Sequence, residues 1–257
     1  MRPTWSGMIS FGLVNIPVNL HVAVKDEVHH MNYLRKDDLC PIQYKKVCRV
    51  TGEEVPFKDI VKGYEFQEGD YVVLSDEDFK KADVKKSRAI EIEAFVDERD
   101  VDAKYLEKPY YLEPQKKAHP SYALFREAMA RSGKVGIGKF VLRDREHLVM
   151  LKPEGKVILL VVLRFDATIR NPADLDLPSK AAVPRNQMDL AMELIKKLEG
   201  PFKPEAFKDT YAARLKAIIS AKKKHKPVHV REEEAPRETE VEEIMSKLKE
   251  SLSATRH

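Results

Sequence analysis

Along residues 8–20 apolar and polar positions alternate with a period of two. Ile9, Phe11 and Leu13 share one face, after which the phase shifts and Val14, Ile16, Val18 and Leu20 line the next. A one-residue shift turns every later side chain over, which predicts a strand bent by a bulge or a barrel corner. Gly12 and Pro17 suit a bend or a sheet edge. Residues 25–70 are polar and broken, an excursion from the core. Residues 71–74 predict a strand, followed by a short helix with Ser75 as N-cap and Asp78 three positions on in a capping box. Ile90, Ile92, Ala94 and Val96 alternate with Glu91, Glu93 and Phe95 as a half-buried strand. Residues 110–112, set between Pro109 and Pro114, predict a short edge piece. Over residues 120–131, Leu124, Phe125, Ala128 and Met129 recur at helical spacing, and Gly133 is placed to end that helix.

The strongest sheet signal covers residues 135–165. Apolar runs at 135–142, 147–151 and 156–165 are separated by polar residues at 143–146 and 152–155. In the second separator Pro153 and Gly155 suit a type I turn. A three-stranded meander with a basic rim is expected, and many short strands with turn signals point to a barrel or sandwich. Gly136 and Gly138 lie inside an apolar strand, where close backbone packing accounts for them. After Pro184 the period becomes helical. Met188, Ala191, Met192, Ile195 and Leu198 form one stripe, closed by Gly200 and Pro201. A second helix is expected after Pro204, with Phe207, Tyr211, Leu215 and Ile218 on one side. Such stripes are core or dimer contacts. Beyond Pro236, Thr239 and Glu242 make a capping box ahead of a narrow apolar stripe of Val241, Ile244, Met245, Leu248 and Leu252. Glu243 and Lys247 are one turn apart in the favourable order. This last helix has two destinations, its own body or another protein, and a partner is favoured.

The 257 residues suffice for one large domain or two small ones with a sizeable core. Two cysteines exclude a disulfide-stapled secreted scaffold. The longest apolar run, Val157–Leu163, is far too short to span a bilayer, and the first residues lack a signal-peptide pattern. A reducing cytoplasm is expected. The net charge of +4 is unevenly spread: residues 231–257 sum to −3 and residues 1–230 to +7. Residues 214–226 carry six bases (Arg214, Lys216, Lys222, Lys223, Lys224 and Lys226) and no acid, and residues 131–170 carry nine bases against four acids. Each run reads either as a solvated face or as part of a phosphate-binding body with an acidic tail.

Catalytic constellations are missing. There is no phosphate-cradling glycine loop, dinucleotide fingerprint or nucleophile elbow. His29 and His30 lack carboxylates at metal spacing, and Cys40 with Cys48 makes a poor zinc site. A desolvated lysine forming a Schiff base is the enzymatic alternative. The sequence argues for binding, with no cofactor and no metal.

Several blocks resemble the bacterial Ku proteins. Residues 5–18, from Trp5-Ser6-Gly7 to Ile16-Pro17-Val18, are similar to the N-terminal signature of that family. So are residues 60–65, 71–78, 107–112 and 138–148, and residues 207–211 resemble its C-terminal arm. The blocks are collinear over residues 1–222. The resemblance implies a mainly β fold with α, a β-barrel core with an inserted DNA-encircling arm and a helical C-terminal arm. It divides the chain into a barrel and arm over 1–183, a helical arm over 184–226 and a charged linker with a docking tail over 227–257. It further implies a homodimeric ring, with a formal charge of +8, that threads onto linear double-stranded DNA ends in non-homologous end joining. The ring would bridge or protect the ends and recruit the DNA ligase LigD. Some relatives carry a Cys-x-x-Cys pair where this chain has Cys48-Arg49-Val50-Thr51, and some a long Lys-rich tail where this one ends in an acidic, amphipathic segment.

Physics supports that function class. A basic inner surface binds duplex DNA of any sequence through phosphates and counterion release, and a closed ring loads only where an end exists. The DNA-binding candidates are Lys45, Lys46 and Arg49 in the excursion and Lys139, Arg143 and Arg145 on the meander rim. Lys222, Lys223, Lys224 and Lys226 add affinity or solubilise a helix end. Val241, Ile244, Met245, Leu248 and Leu252 are the candidate ligase-docking face. The competing classes are a lysine-dependent lyase at abasic ends and a general double-stranded DNA architectural protein. A cytoplasmic, nucleoid-associated location follows from the first reading.

Overall fold

The β-structure opens with a hairpin where the pattern predicts one bent strand. β1 (Trp5–Phe11) and β2 (Val14–Val22) pair antiparallel from Trp5↔Leu20 to Phe11↔Val14. The phase shift is therefore a two-residue turn and not a bulge. Gly12 takes φ 58° at the first central position, which type II′ hairpin turns reserve for glycine, and Leu13 is left 99% exposed. The computed structural model describes residues 2–25, 31–82, 88–143, 145–177, 184–224 and 243–254. The chain divides into two compact units, Met1–Asn171 and Pro172–His257.

Seven strands of the first unit close into a barrel. With β5 (Ala89–Asp97), β6 (Leu106–Pro114), β7 (Lys134–Leu142), β8 (Arg145–Glu154) and β9 (Val157–Leu163), the order is β1-β2-β6-β9-β8-β7-β5. A parallel pairing of Ile9 with Ile90 returns β5 to β1. Closure explains why the expected edge piece at 110–112 is a nine-residue interior strand. β6 runs between β2 and β9, and its ladder with β9 slips between Leu106 and Lys108, beside Pro109. Pro114 is the last β6 residue to pair with β2. A proline is tolerated at a bulge or a strand end, so Pro109 beside the bulge and Pro114 at the strand's end do not break it.

The meander forms as expected, with shorter connections. β7 and β8 join through residues 143–144, with Leu142 paired to Arg145, so the four-residue separator shrinks to two. The turn assigned to 152–155 lies two residues later. Glu154 pairs with Val157, and Gly155 supplies φ 53° at the tip. Pro153 stays in β8, opposite Ile158 and past the end of the β7 pairing at Leu151. Gly138 is required where β5 crosses β7: a Cβ there would sit 2.2 Å from the Glu91 carbonyl oxygen.

Inside the barrel, Ile9, Ile16, Val18, Leu20, Ile90, Leu112, Leu151, Ile158 and Leu160 are fully buried. They share one cluster with Tyr122, Phe125 and Met129 of α2 (His119–Ser132). The helix ends at Gly133, φ 65°, as its sequence predicts. Its core face is Tyr122, Phe125 and Met129; Leu124 and Ala128, assigned to that stripe, are exposed. Tyr122 ties helix to barrel. Its hydroxyl donates to the Leu112 carbonyl (2.6 Å) and accepts from the Ile158 amide (2.7 Å), so the phenol stands between a register pair of β6 and β9. The outward faces of β7, β8 and β9 hold a second cluster, Val135, Met150, Val161 and Leu163, with Val96, Val101 and Tyr105 packed against it. Both faces of β9 are thus covered, which is why Val157–Leu163 is continuously apolar.

The excursion carries its own structure. β3 (Lys62–Gln67) and β4 (Asp70–Leu74) form a separate two-stranded ribbon, and α1 (Asp76–Ala82) follows. The capping box is present: Asp78 Oδ2 accepts from the Ser75 amide (3.0 Å) and hydroxyl (2.7 Å), and the Ser75 hydroxyl accepts from the Asp78 amide (3.3 Å).

The second unit holds α3 (Arg185–Leu198), α4 (Thr210–Lys223) and α5 (Ile244–Ala254). Helix α4 starts at Thr210 rather than just after Pro204, because Asp209 caps it by accepting from the Ala212 amide at 2.9 Å. The apolar stripes are less covered than their pattern suggests. Met188, Met192, Ile195 and Leu198 of α3 are exposed, while Leu190, Ala191 and Leu194 are half-buried. On α4, Ala212, Leu215 and Ile218 are half-buried, and Phe207 and Tyr211 are exposed. Helix α5 packs on α3, where Lys197 Nζ donates to the Leu252 carbonyl at 2.5 Å.

Candidate nucleic-acid interface

The excursion is built from short hydrogen-bonded turns. Isolated bridges join Leu34 to Pro41 and Val47 to Glu54. The second is closed by a tight turn in which Gly52, φ 73°, donates to the Cys48 carbonyl and the Cys48 amide donates to Glu53, each at 2.8 Å. Arg49 rides on this turn, exposed, with no ion pair or hydrogen bond among the described residues. Lys45 is committed to Glu54 at 2.6 Å, and Lys46 stands 4.9 Å from the centre of the Phe57 ring. Arg35 grips Asp38 through two nitrogens, and the Cys40 amide also donates to that carboxylate. The Arg35 bond, then the Cys40 bond, lower the Asp38 carboxyl to about 2.

The other basic candidates sit on different frames. Lys139 projects from β7 and pairs with Glu93 of β5 at 3.5 Å. Arg143 and Arg145 stand at the exposed β7–β8 turn, where Arg143 takes φ 52°. Neither has a salt-bridge partner among the described residues. Lys222, Lys223 and Lys224 end α4, all exposed, where cations complement the helix dipole. Lys226 and Val241 lie outside the described residues. Ile244, Met245, Leu248 and Leu252 are half-buried on α5.

Thiol chemistry in the excursion is local. Cys40 is exposed and Cys48 half-buried, both free. The Thr51 amide, then its hydroxyl and the Val50 amide, lower the Cys48 thiol from its ordinary value. Among the described residues no group of three His, Cys, Asp or Glu side chains converges as a metal site would require.

Sequence reasoning missed strand β3. Its signal was present: Gly63, Glu65 and Gln67 alternate with Tyr64 and Phe66, and Gly69, φ 85°, turns the chain into β4. It also missed how much apolar surface the excursion shows. Tyr33, Tyr44, Phe57, Tyr64, Phe66 and Tyr71 are all exposed. No residue of 31–75 is buried. Such an arm, cations interleaved with aromatics and nothing of its own to cover them, is suited to contact with another macromolecule.

Comparison with known proteins gives concordant results. The family model described as Ku70/Ku80 beta-barrel domain matches residues 10–190. A protein of Opitutus terrae is 40% identical over 223 residues, covering 86% of this chain and 80% of its own. One from Coxiella burnetii is 36% identical over 257 residues, covering 98% and 94%. One from Archaeoglobus fulgidus is 38% identical over 259 residues and covers both chains in full. Each of the three is named Non-homologous end joining protein Ku.

Proposed function

The chain belongs to the Ku family of non-homologous end joining proteins, and from that premise we propose that it is a non-catalytic protein that binds the ends of linear double-stranded DNA. Two copies form a ring that threads onto a free end without reading sequence, bridges or protects it, and recruits the ligase LigD through the C-terminal unit. The observation that carries this reading is the arm. Residues 31–75 bury nothing of their own yet carry six exposed aromatics, so their surface awaits a second copy, a duplex, or both. The division of labour along the chain follows: barrel and arm over 1–183, helical arm over 184–226, and linker with docking tail over 227–257.

Electrostatics ranks the cations. Among the described residues Arg49, Arg143 and Arg145 have no ion-pair partner to give up before meeting phosphates, whereas Lys45 and Lys139 must first give up Glu54 and Glu93. Lys222, Lys223 and Lys224 add a third basic group on α4. Each phosphate neutralised contributes about 0.9 to the logarithmic salt slope. Among the described residues no helix is long and apolar enough to cross a membrane, which is compatible with a place beside the chromosome.

The test compares one plasmid as a linear molecule and as a covalently closed circle, at moderate salt. Binding to the linear form alone is expected; equal binding to both would replace the ring by an open, architectural DNA-binding surface. Reversing Arg49, Arg143 and Arg145 together to Glu should weaken linear binding at least tenfold and lower the salt slope by on the order of one unit per lost contact. Reversing Lys45 and Lys139 should do less.

A further inference from the structure

Helix α3 is apolar around more than half of its circumference, wider than the stripe of roughly 100° that faces a single core. Leu190, Ala191 and Leu194 lie together on one side and are half-buried, and α5 packs on the helix. Met188, Met192 and Ile195 form a second stripe beside the first and stay open, at 46%, 56% and 62% exposure. Among the described residues α5 is the one helix that packs closely on α3. The steps of four, three and four along positions 188, 192, 195 and 199 are those of a coiled-coil seam, and they place Asp189 and Lys196 on one flank of it. A groove of about 450 Å³ runs along this side and has both residues in its wall.

Charge decides what fits there. Along this side the order is Arg185, Asp189, Met192, Lys196 and Glu199, so the signs invert about Met192. All four charged side chains are exposed, and none has an ion-pair partner among the described residues. An identical helix laid antiparallel brings Arg185 towards Glu199 of a second copy and Asp189 towards its Lys196, each pair occurring twice. A parallel pair would instead set Asp189 and Lys196 against the other flank of the seam, which is Ala191 and Leu198 and carries no charge. A charge pattern that is its own complement is what a two-fold contact between identical surfaces requires.

We propose that α3 pairs antiparallel with the α3 of a second copy of this chain, about a two-fold axis near Met192. The pairing rests on the reading that the protein acts as two copies, and deepens it by adding a contact outside the barrel and the arm. Three apolar residues from each copy make a small seam, well below a standard stable interface of about 1,600 Å². It therefore fastens copies that other surfaces hold together and does not assemble them alone.

The experiment uses the full chain with Cys40→Ser and Cys48→Ser, so that an added cysteine is its only thiol. Met192→Cys should be joined into a covalent dimer by a short bis-maleimide at least about tenfold faster than Asn186→Cys, because pairing raises the effective concentration of one thiol at the other. Asn186 lies on the far side of the helix. With Met192→Cys in place, Asp189→Lys or Lys196→Asp alone should slow the reaction about fivefold or more, since each sets like charges opposite one another at both symmetric places. The two exchanges together should restore the rate. All these positions are exposed, and an unchanged far-ultraviolet dichroism spectrum shows that the helix is intact. Equal rates at 192 and 186, single exchanges without effect, or a double exchange no faster than the singles would each overturn the proposal. Plasmid binding keeps the two readings apart. Selective binding of the linear form with no cross-link at 192 removes the α3 pair alone, whereas cross-linking with equal binding of linear and closed forms removes the ring alone.

Discussion

The barrel and the arm are made of the same kinds of residue and use them in opposite ways. In the barrel, Ile9, Leu20, Leu112, Ile158 and Leu160 are sealed from water, and every strand has two neighbours. In the arm, Ile42, Val50, Phe57, Tyr64 and Phe66 are exposed, and β3 and β4 have only each other. A two-stranded ribbon is marginal alone in water, so the arm's shape rests on local bonds: Arg35 on Asp38, Lys45 on Glu54, the Gly52 turn and the Ser75–Asp78 capping box. The difference teaches where stability ends and recognition begins. The barrel is folded by what it buries, and the arm, which buries nothing, keeps its shape through local bonds alone.

The largest effects should therefore come from the barrel interior. Leu160→Ala opens a cavity at a fully buried site and should cost about 2–5 kcal/mol in a urea melt. Tyr64→Ser, the same kind of truncation on the ribbon, should leave that melt unchanged and weaken self-association or DNA binding instead. If Tyr64→Ser cost as much as Leu160→Ala, the two regions would be one cooperative body. Gly138→Ala comes next. Its new Cβ meets the Glu91 backbone and not a yielding side chain, so strands β5 and β7 must part, at about 1–3 kcal/mol.

Tyr122→Phe tests how the helix is held. The substitution removes a hydroxyl that both donates to Leu112 and accepts from Ile158, and leaves the carbonyl and amide without that partner. Burial also pushes the Tyr122 phenol above its ordinary value, so it stays neutral and able to donate at any physiological pH. A loss of about 1–3 kcal/mol is expected, with faster amide exchange at Ile158. An unchanged exchange rate would mean that β6 and β9 close up and restore the ladder without the phenol.

How far the sequence could be read follows the same division. The meander was legible because β7, β8 and β9 announce themselves by apolar runs between turns, and α2 because Gly133 ends it. Errors came where proline and glycine compete. Pro153 resembles a turn residue, yet Gly155 makes the turn; Pro109 and Pro114 suggest an edge, yet closure leaves no edge for β6. In the second unit, periodicity grouped Met188, Ala191, Met192, Ile195 and Leu198 as one stripe, but the half-buried residues of α3 are Leu190, Ala191 and Leu194, and Met188, Met192, Ile195 and Leu198 are exposed, because pattern cannot say which side of a helix finds a neighbour. The candidate cations were legible as charges only. That Lys139 is answered by Glu93 from β5 depends on strand register, which no local pattern contains. The meeting of His21, Glu113, Arg126 and Lys156 around one cleft beside α2 was invisible for the same reason, since they come from four separate segments.

The smallest expected effect belongs to the arm, and its sign is definite. Asp38 is held at about 2 by Arg35 and, second, by the Cys40 amide, well below the ordinary carboxylate range near 3.9. A carboxyl depressed on folding contributes stability that is fully present above its unfolded value and is lost as pH falls through its folded one. The contribution of the Arg35–Asp38 contact should thus be full above the ordinary carboxylate range and shrink as pH falls towards 2, with the contact itself half lost only near pH 2. Both groups are open to solvent, so this contact organises a turn and adds little to global stability. Carboxyl carbon resonances should titrate with a midpoint near 2 for Asp38. Arg35→Gln should move that midpoint most of the way back, stopping short because the Cys40 amide still donates. Urea melts of the same variant at pH 7 should overlay the wild type, since nothing in the barrel leans on this pair. A midpoint unmoved by Arg35→Gln would mean that the backbone of the turn, and not the guanidinium, holds the carboxylate, and that the arm is more ordered by itself than its exposed surface implies.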